Sequence, residues 1–138
     1  MAHFAKISEE NEVLQVVVVD NNKILDENGV EQESMGQTFL ETNNNWPANL
    51  WVQTSYNSTF RKNYAGMGCS WYPDHNFFIG PKPFLSWTLN TTEAIWDPPI
   101  AKPDLTAEQI SQNNAGTHYW YYNWDEPNQV WNLTDINA

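Results

Sequence analysis

Trp71-Tyr-Pro-Asp-His-Asn-Phe-Phe78, Trp87-Thr-Leu-Asn-Thr-Thr-Glu-Ala-Ile-Trp96 and Tyr122-Asn-Trp-Asp-Glu-Pro-Asn-Gln-Val-Trp131 are built on one plan. Each sets a polar centre between aromatic or β-branched flanks: Pro73 to Asn76, Asn90 to Glu93, and Asp125 to Asn128. Folding each stretch at its centre predicts a β-hairpin with Trp71 opposite Phe78, Trp87 opposite Trp96, and Tyr122 opposite Trp131. Asn90 and Asp125 stand where a type I turn prefers Asn or Asp, and four-residue hairpin loops are commonly built on that turn. Cross-strand aromatic pairs stabilise such ribbons by up to about 1 kcal/mol each.

The joints between these stretches are stiff. Gly80-Pro-Lys-Pro83 and Asp97-Pro-Pro-Ile-Ala-Lys-Pro103 favour extended polyproline-II backbone and lack amide donors. They predict hairpins held apart from one another. A lone two-stranded ribbon is marginal in water, so the ribbons must lie on the N-terminal sheet, on one another or on another chain. Between the second and third, Asp104-Leu-Thr-Ala-Glu-Gln-Ile-Ser111 predicts a helical turn or two, capped by Asp104 or Thr106.

The N-terminal half has a different pattern. Phe4-Ala-Lys-Ile7 and Val13-Leu-Gln-Val-Val-Val-Val19 flank a polar turn and read as a hairpin. The β-branched run Val16 to Val19 predicts a strand covered on both faces and therefore central in its sheet. Residues 30–41 place Met35, Phe39 and Leu40 at helical offsets, with acids in the first turn. That predicts a short helix, weakened at Gly36 by about 1 kcal/mol relative to Ala. Leu50 to Tyr56 and Phe60 to Tyr64 read as β-rich, and the Arg61-Lys62 pair is expected to meet acids from the first 41 positions or solvent. The fold class expected is mainly β. A small antiparallel sheet domain with one short helix occupies 1–68, and Trp-rich hairpins on Pro-rich linkers occupy 69–138, extending over a partner or over the first domain.

Composition excludes several functions. The 138 residues carry 6 Lys+Arg against 17 Asp+Glu, a formal charge of -11, so the field repels nucleic acid. No apolar run approaches the roughly 18 residues of a membrane span. The start, Met1-Ala-His-Phe-Ala-Lys6, has no charged region followed by an apolar one, so no secretory signal is expected. A single cysteine, Cys69, allows no internal disulfide and fits a reducing compartment. Eighteen Asn and eight Trp in a chain this short favour many turns and a large aromatic surface to bury.

Candidate chemistry is sparse. His75 beside Asp74 raises a metal or acid–base role, but His3 and His118 lie far away in sequence and no ligand spacing is present. Asp74-x-Asn76 lacks the later positions of a calcium loop. Cys69, between Gly68 and Ser70, reads as a small packed residue and not as a nucleophile. Asp125-Glu126 sits at a solvated turn tip, without the surroundings that raise a general acid's pKa. No catalytic residue, metal ligand or cofactor is expected, and the chain reads as a non-enzyme. The aromatics carry the functional question instead, because Trp and Tyr offer large contact area at low entropic cost. Phe84, Trp87, Trp96 and Trp131 are the expected apolar anchors for a partner, and Trp124 or Trp87 the stacking platform if the ligand were a glycan.

Gln53-Thr-Ser-Tyr-Asn57, Phe60-Arg-Lys-Asn-Tyr-Ala-Gly66, Phe78-Ile-Gly-Pro-Lys-Pro-Phe-Leu-Ser-Trp-Thr-Leu-Asn90, Trp96-x-Pro-Pro and Trp124-Asp-Glu126 share distinctive wording. Together they resemble a family of small proteins encoded by tailed bacteriophages of marine bacteria, cyanophages among them. The opening Met1 to Ile7 and Val16-Val-Val-Val-Asp-Asn21 look like that family's start, whereas Cys69-Ser-Trp71 and the insertion from Asp104 to Gly116 depart from it. The resemblance implies a phage origin and a place in the virion, assembled in the bacterial cytoplasm, and it brings no catalytic residues. The expectation is a capsid decoration protein bound to the major capsid protein lattice. The alternatives are a tail- or fibre-associated protein and a glycan-binding module. Self-association into a homo-oligomer is left open.

Overall fold

The computed structural model describes residues 1–137. The chain is mainly β: among the described residues nine strands form one three-stranded sheet and three two-stranded ribbons, accompanied by two α-helices. It divides into two compact units, Met1–Pro81 with Asn90–Ile95, and Lys82–Leu89 with the chain from Trp96 onward.

The sheet of the first unit has β1 (Ala2–Ile7) in the middle, with β2 (Val13–Val19) and β3 (Trp51–Thr54) antiparallel on either side. Phe4 faces Val17 on one neighbour and Gln53 on the other. Alternation sorts the apolar residues to two faces. Ala2, Phe4, Val19 and Trp51 pack with Ile24 and Leu40, the latter from helix α1 (Glu33–Asn44). On the opposite face Ala5, Ile7, Val13 and Val52 pack with Ala65 and Phe78. The Val16–Val19 run is therefore not central, contrary to the sequence expectation. Layers on both faces explain its β-branched composition, but cover over the faces says nothing about the margins, and β2 is an edge strand with Val18 51 % exposed.

Helix α1 starts at Glu33, three residues into the 30–41 stretch read as helical, and is closed after Asn44 by Asn45, which adopts the left-handed conformation (φ 51°) that Asn tolerates. Asn43 and Asn44 turn their side-chain amides back onto the Phe39 and Leu40 carbonyls, and the Asn45 amide donates to the Glu41 carbonyl. Gly36 has a packing reason. A Cβ there would lie 2.2 Å from Cζ of the buried Phe4 ring, so the helix backbone rests directly on that ring. Of the stretches read as β-rich, Trp51–Thr54 is a strand, whereas Phe60 to Tyr64 is irregular apart from an isolated bridge at Lys62, with Ser58, Arg61 and Lys62 at positive φ. Arg61 reaches back to pair with Glu33, as its isolation in an acidic chain predicts.

Ribbon β4 (Ser70–Tyr72) and β5 (Phe77–Ile79) sets Trp71 opposite Phe78, as read from the sequence. It belongs to the first unit and not to a separate region beginning at 69. Phe78 lies in the β1–β3 core, and the Val13 amide donates to the Cys69 carbonyl at 2.8 Å. Ribbon β6 (Thr88–Asn90) and β7 (Ile95–Asp97) turns through residues 91–94. Asn63 donates to the carbonyls of both Phe78 and Ala94.

In the second unit, β8 (Trp120–Asp125) pairs with β9 (Val130–Asp135). The register is Trp124 opposite Trp131 and Tyr122 opposite Leu133, so the expected Tyr122–Trp131 pair does not form. The reason lies in Asp125. It is not the first residue of the loop but the last of the strand, paired with Val130, and its carboxylate accepts from the Asn128 backbone and side-chain amides. Helix α2 (Ala107–Ala115), longer than the turn or two expected, opens with a capping box between Thr106 and Gln109 and closes at Gly116 (φ 76°). Asn113 ties it to β8, donating to the Trp120 carbonyl and accepting from the Trp120 amide.

All three ribbons share one loop geometry. Four residues separate the strands, and the last of the four lies at positive φ: Asn76 (56°), Ala94 (55°) and Gln129 (51°). A type I turn followed by a left-handed residue restores the twist of the flanking strands. Only Asn76 is a residue type that favours the conformation.

Candidate functional site

The five aromatic residues expected to anchor a partner all fall in the second unit. Four of them form one cluster. Phe84 lies 5.6 Å from Trp87 between ring centroids, Trp87 lies 6.0 Å from Trp124 and 6.1 Å from Trp131, and Trp124 lies 5.1 Å from Trp131. Interplanar angles from 43° to 82° are the tilted and edge-to-face arrangements favoured by the ring quadrupole, each contributing about 0.5–1.5 kcal/mol beyond area burial. Trp96 instead carries the Lys82 ammonium above its ring, 5.8 Å from the centroid.

This departs from the expectation that the stiff joints hold the Trp-bearing stretches apart from one another. The segment carrying Trp87 folds onto the β8–β9 turn, and Glu126 holds it there. The Glu126 carboxylate accepts from the Ser86 amide at 3.0 Å, from the Ser86 hydroxyl, and from Trp124 Nε1 at 2.9 Å. The Ser86 hydroxyl bond, then the Trp124 bond, hold the Glu126 pKa below its ordinary value, with the Lys82 charge adding a little. Trp131 Nε1 donates to the Ile100 carbonyl at 2.8 Å, fixing the second Pro-rich stretch as well. Trp124 is consequently only 7 % exposed, and none of the eight Trp is fully exposed. Trp124 is buried and Trp131 half-buried within the cluster.

What the cluster presents outward is the tip above it. The Trp87 amide donates to the Phe84 carbonyl, closing a turn at Phe84-Leu85-Ser86. Leu85 is 89 % exposed at that tip, and Phe84 keeps a large part of its ring in solvent. Lys82, Pro83, Phe84, Leu85 and Glu126 line a shallow cleft of about 350 Å³ beside it. The residue that sequence reasoning missed is Leu85. Its signal was present, because an apolar residue set between a proline-stiffened joint and a hydrogen-bonding serine has little freedom to fold inward.

The other candidates have structural explanations. The His75 amide donates to the Tyr72 carbonyl in the first ribbon's loop, and its ring stacks on Phe77 at 5.6 Å and 15°. Cys69 is half-buried at the junction of β2 and β4, where its carbonyl accepts from Val13. Among the described residues no three His, Cys, Asp or Glu side chains are grouped to hold a metal ion. No helix among them is long and apolar enough to cross a membrane. No protein-family model, no curated protein and no solved structure matches this chain.

Proposed function

We propose that the protein is a structural accessory of a phage virion, a decoration protein that docks on the major capsid protein lattice through the Phe84–Leu85 tip. The observation that carries the docking reading is that tip: Leu85 held out, 89 % exposed, on a turn fixed by Glu126 and backed by three packed Trp rings. A preorganised apolar anchor binds without the cost of ordering a loop, and a small number of such residues dominate interface energies. The net charge of -11 favours a surface facing away from packaged nucleic acid. The virion assignment rests on the resemblance of the quoted stretches, Phe78 to Asn90 among them, to a family of marine phage proteins.

Purified particles test this directly. Quantitative mass spectrometry should find the chain at a stoichiometry matching capsid sites, and immunogold labelling should decorate heads. Label on tails would move the assignment to the tail-associated alternative. Leu85→Ser should leave the fold intact by circular dichroism yet weaken particle binding about tenfold to a hundredfold, the loss of burying one leucine side chain at about 1.5–3 kcal/mol. Absence of the chain from particles, or undiminished binding of the variant, would refute the reading.

A further inference from the structure

The two margins of the three-stranded sheet are treated in opposite ways. The outer margin of β3 is sealed by side chains: Gln37 donates to the Trp51 carbonyl at 2.7 Å, the Gln53 amide donates to Glu33 at 2.7 Å, and Arg61 donates to the Gln53 carbonyl at 2.8 Å. The outer margin of β2 has one fastening, at its start, where Val13 exchanges hydrogen bonds with the Gly68 amide and Cys69 carbonyl. Leu14 then bulges where the register with Lys6 and Ile7 shifts. From Gln15 to Val19 the strand is regular, and no hydrogen bond meets its outer side among the described residues.

That open stretch lacks the usual protections. Natural edge strands are interrupted by Pro or Lys, by inward charges, or by bulges along their length. Gln15-Val-Val-Val-Val19 has no charge and no proline, its bulge lies outside it, and Val18 is 51 % exposed. Its ends are acidic: Glu9, Glu10 and Glu12 precede it and Asp20 follows, all exposed.

We infer that the Gln15–Val19 edge of β2 receives an extended strand from a partner protein, a short β-branched segment flanked by lysine or arginine. Main-chain hydrogen bonds to an exposed sheet edge supply affinity in this mode, and side chains on alternate faces supply selection. The acidic ends select the charge. They also disfavour a second copy of this chain, since antiparallel pairing of two β2 strands about Val17 brings Asp20 of one copy within two residues of Glu12 of the other, at both ends. Like charges so placed are destabilising across strands, and two bodies of charge -11 repel beforehand. This surface lies in the first unit and is independent of the Phe84–Leu85 tip.

The test uses the full chain, isotope-labelled, and a synthetic peptide of alternating valine and threonine with a lysine pair at each end. Addition of the peptide should slow hydrogen exchange of outward amides between Gln15 and Val19 and shift resonances there. Val18→Lys should weaken binding about tenfold or more, and Val18→Thr, which keeps the β-branch, should retain it. Leu85→Ser should bind the peptide normally, which separates this site from the capsid-docking tip. Equal binding of a glutamate-flanked peptide, binding by a peptide N-methylated at alternate amides, or no protection at all would overturn the inference. So would sedimentation of the chain alone as a dimer that Val18→Lys dissociates, because the occupant would then be a second copy.

Discussion

Gly36→Ala sets two effects of similar size against each other, and the structure decides the sign. Helix propensity alone promises a gain of about 1 kcal/mol, because alanine loses less backbone entropy than glycine in the middle of a helix. Against it stands the Phe4 ring, whose Cζ, Cε1 and Cε2 would lie 2.2, 2.7 and 3.0 Å from the new methyl. Favourable carbon contact begins near 3.5 Å, so ring or helix must retreat by more than an ångström. Phe4 is completely buried among Ala2, Val19, Ile24, Leu40 and Trp51 and has no space to enter. Overpacking of this kind costs about 1–3 kcal/mol, and clashes this close sit at the upper end. The net expectation is destabilisation by about 1–2 kcal/mol. Urea unfolding followed by circular dichroism at the helix band should show the midpoint falling by roughly 0.5–1 M with an unchanged slope. Phe4→Leu should cost markedly less in the Gly36→Ala background than in the wild type, a coupling that identifies the ring as the obstacle. A midpoint equal to or above that of the wild type would refute the packing argument and return Gly36 to a mere weak point in the helix.

Other predictions concern the second unit. Glu126 titrates below its ordinary value of 4.5 because Ser86 and Trp124 donate to its ionised form. Its contribution is therefore complete above about pH 4.5 and disappears as pH falls through the lower folded value. Trp fluorescence of the Trp87–Trp124–Trp131 cluster should change in that acid range, and Glu126→Gln should remove that part of the pH dependence; an identical acid profile in the variant would contradict the assignment. Gln129→Gly should stabilise the third ribbon by about 0.5–1 kcal/mol, since a non-glycine residue at φ 51° is strained and this side chain is exposed. Thermal melts that show no gain would speak against strain in the loop. Thr106→Ala should cost about 1 kcal/mol through loss of the capping box and should first appear as faster amide exchange in residues 107–110. Unchanged exchange there would show the cap to be idle.

The parts legible in the sequence were those governed by local chemistry. The polar centres read at 73–76, 90–93 and 125–128 announce the ribbons because turn residues between β-formers have few other uses, although the second and third loops lie one residue later, at 91–94 and 126–129. The first register is right because proline at 73 pins the loop, whereas the third is displaced because Asp125 belongs to a strand while its carboxylate behaves as a turn residue. The helix at 33–44 is readable from Met35, Phe39 and Leu40. The role of Gly36 is not, because it depends on a ring 32 positions earlier. The Val16–Val19 run shows that it is covered on its faces and conceals whether its edges are paired. The Trp cluster was illegible for a related reason. Prolines report local stiffness, but the direction in which a stiff segment leaves its ribbon is set by the Ser86–Glu126 bonds, forty residues apart. As a result Leu85, which sits where that direction leads, was passed over in favour of bulkier rings.

The plugging of β3 by Gln37, Glu33 and Arg61 limits what this fold can build. A sheet with two free margins can join copies end on end without limit, and that is how cross-β polymers grow. Here the sheet has a valence of one. Were the β2 strands of two copies forced together, growth through this sheet would stop at a pair, and a foreign strand, once seated, would leave the sheet no second margin for recruiting another.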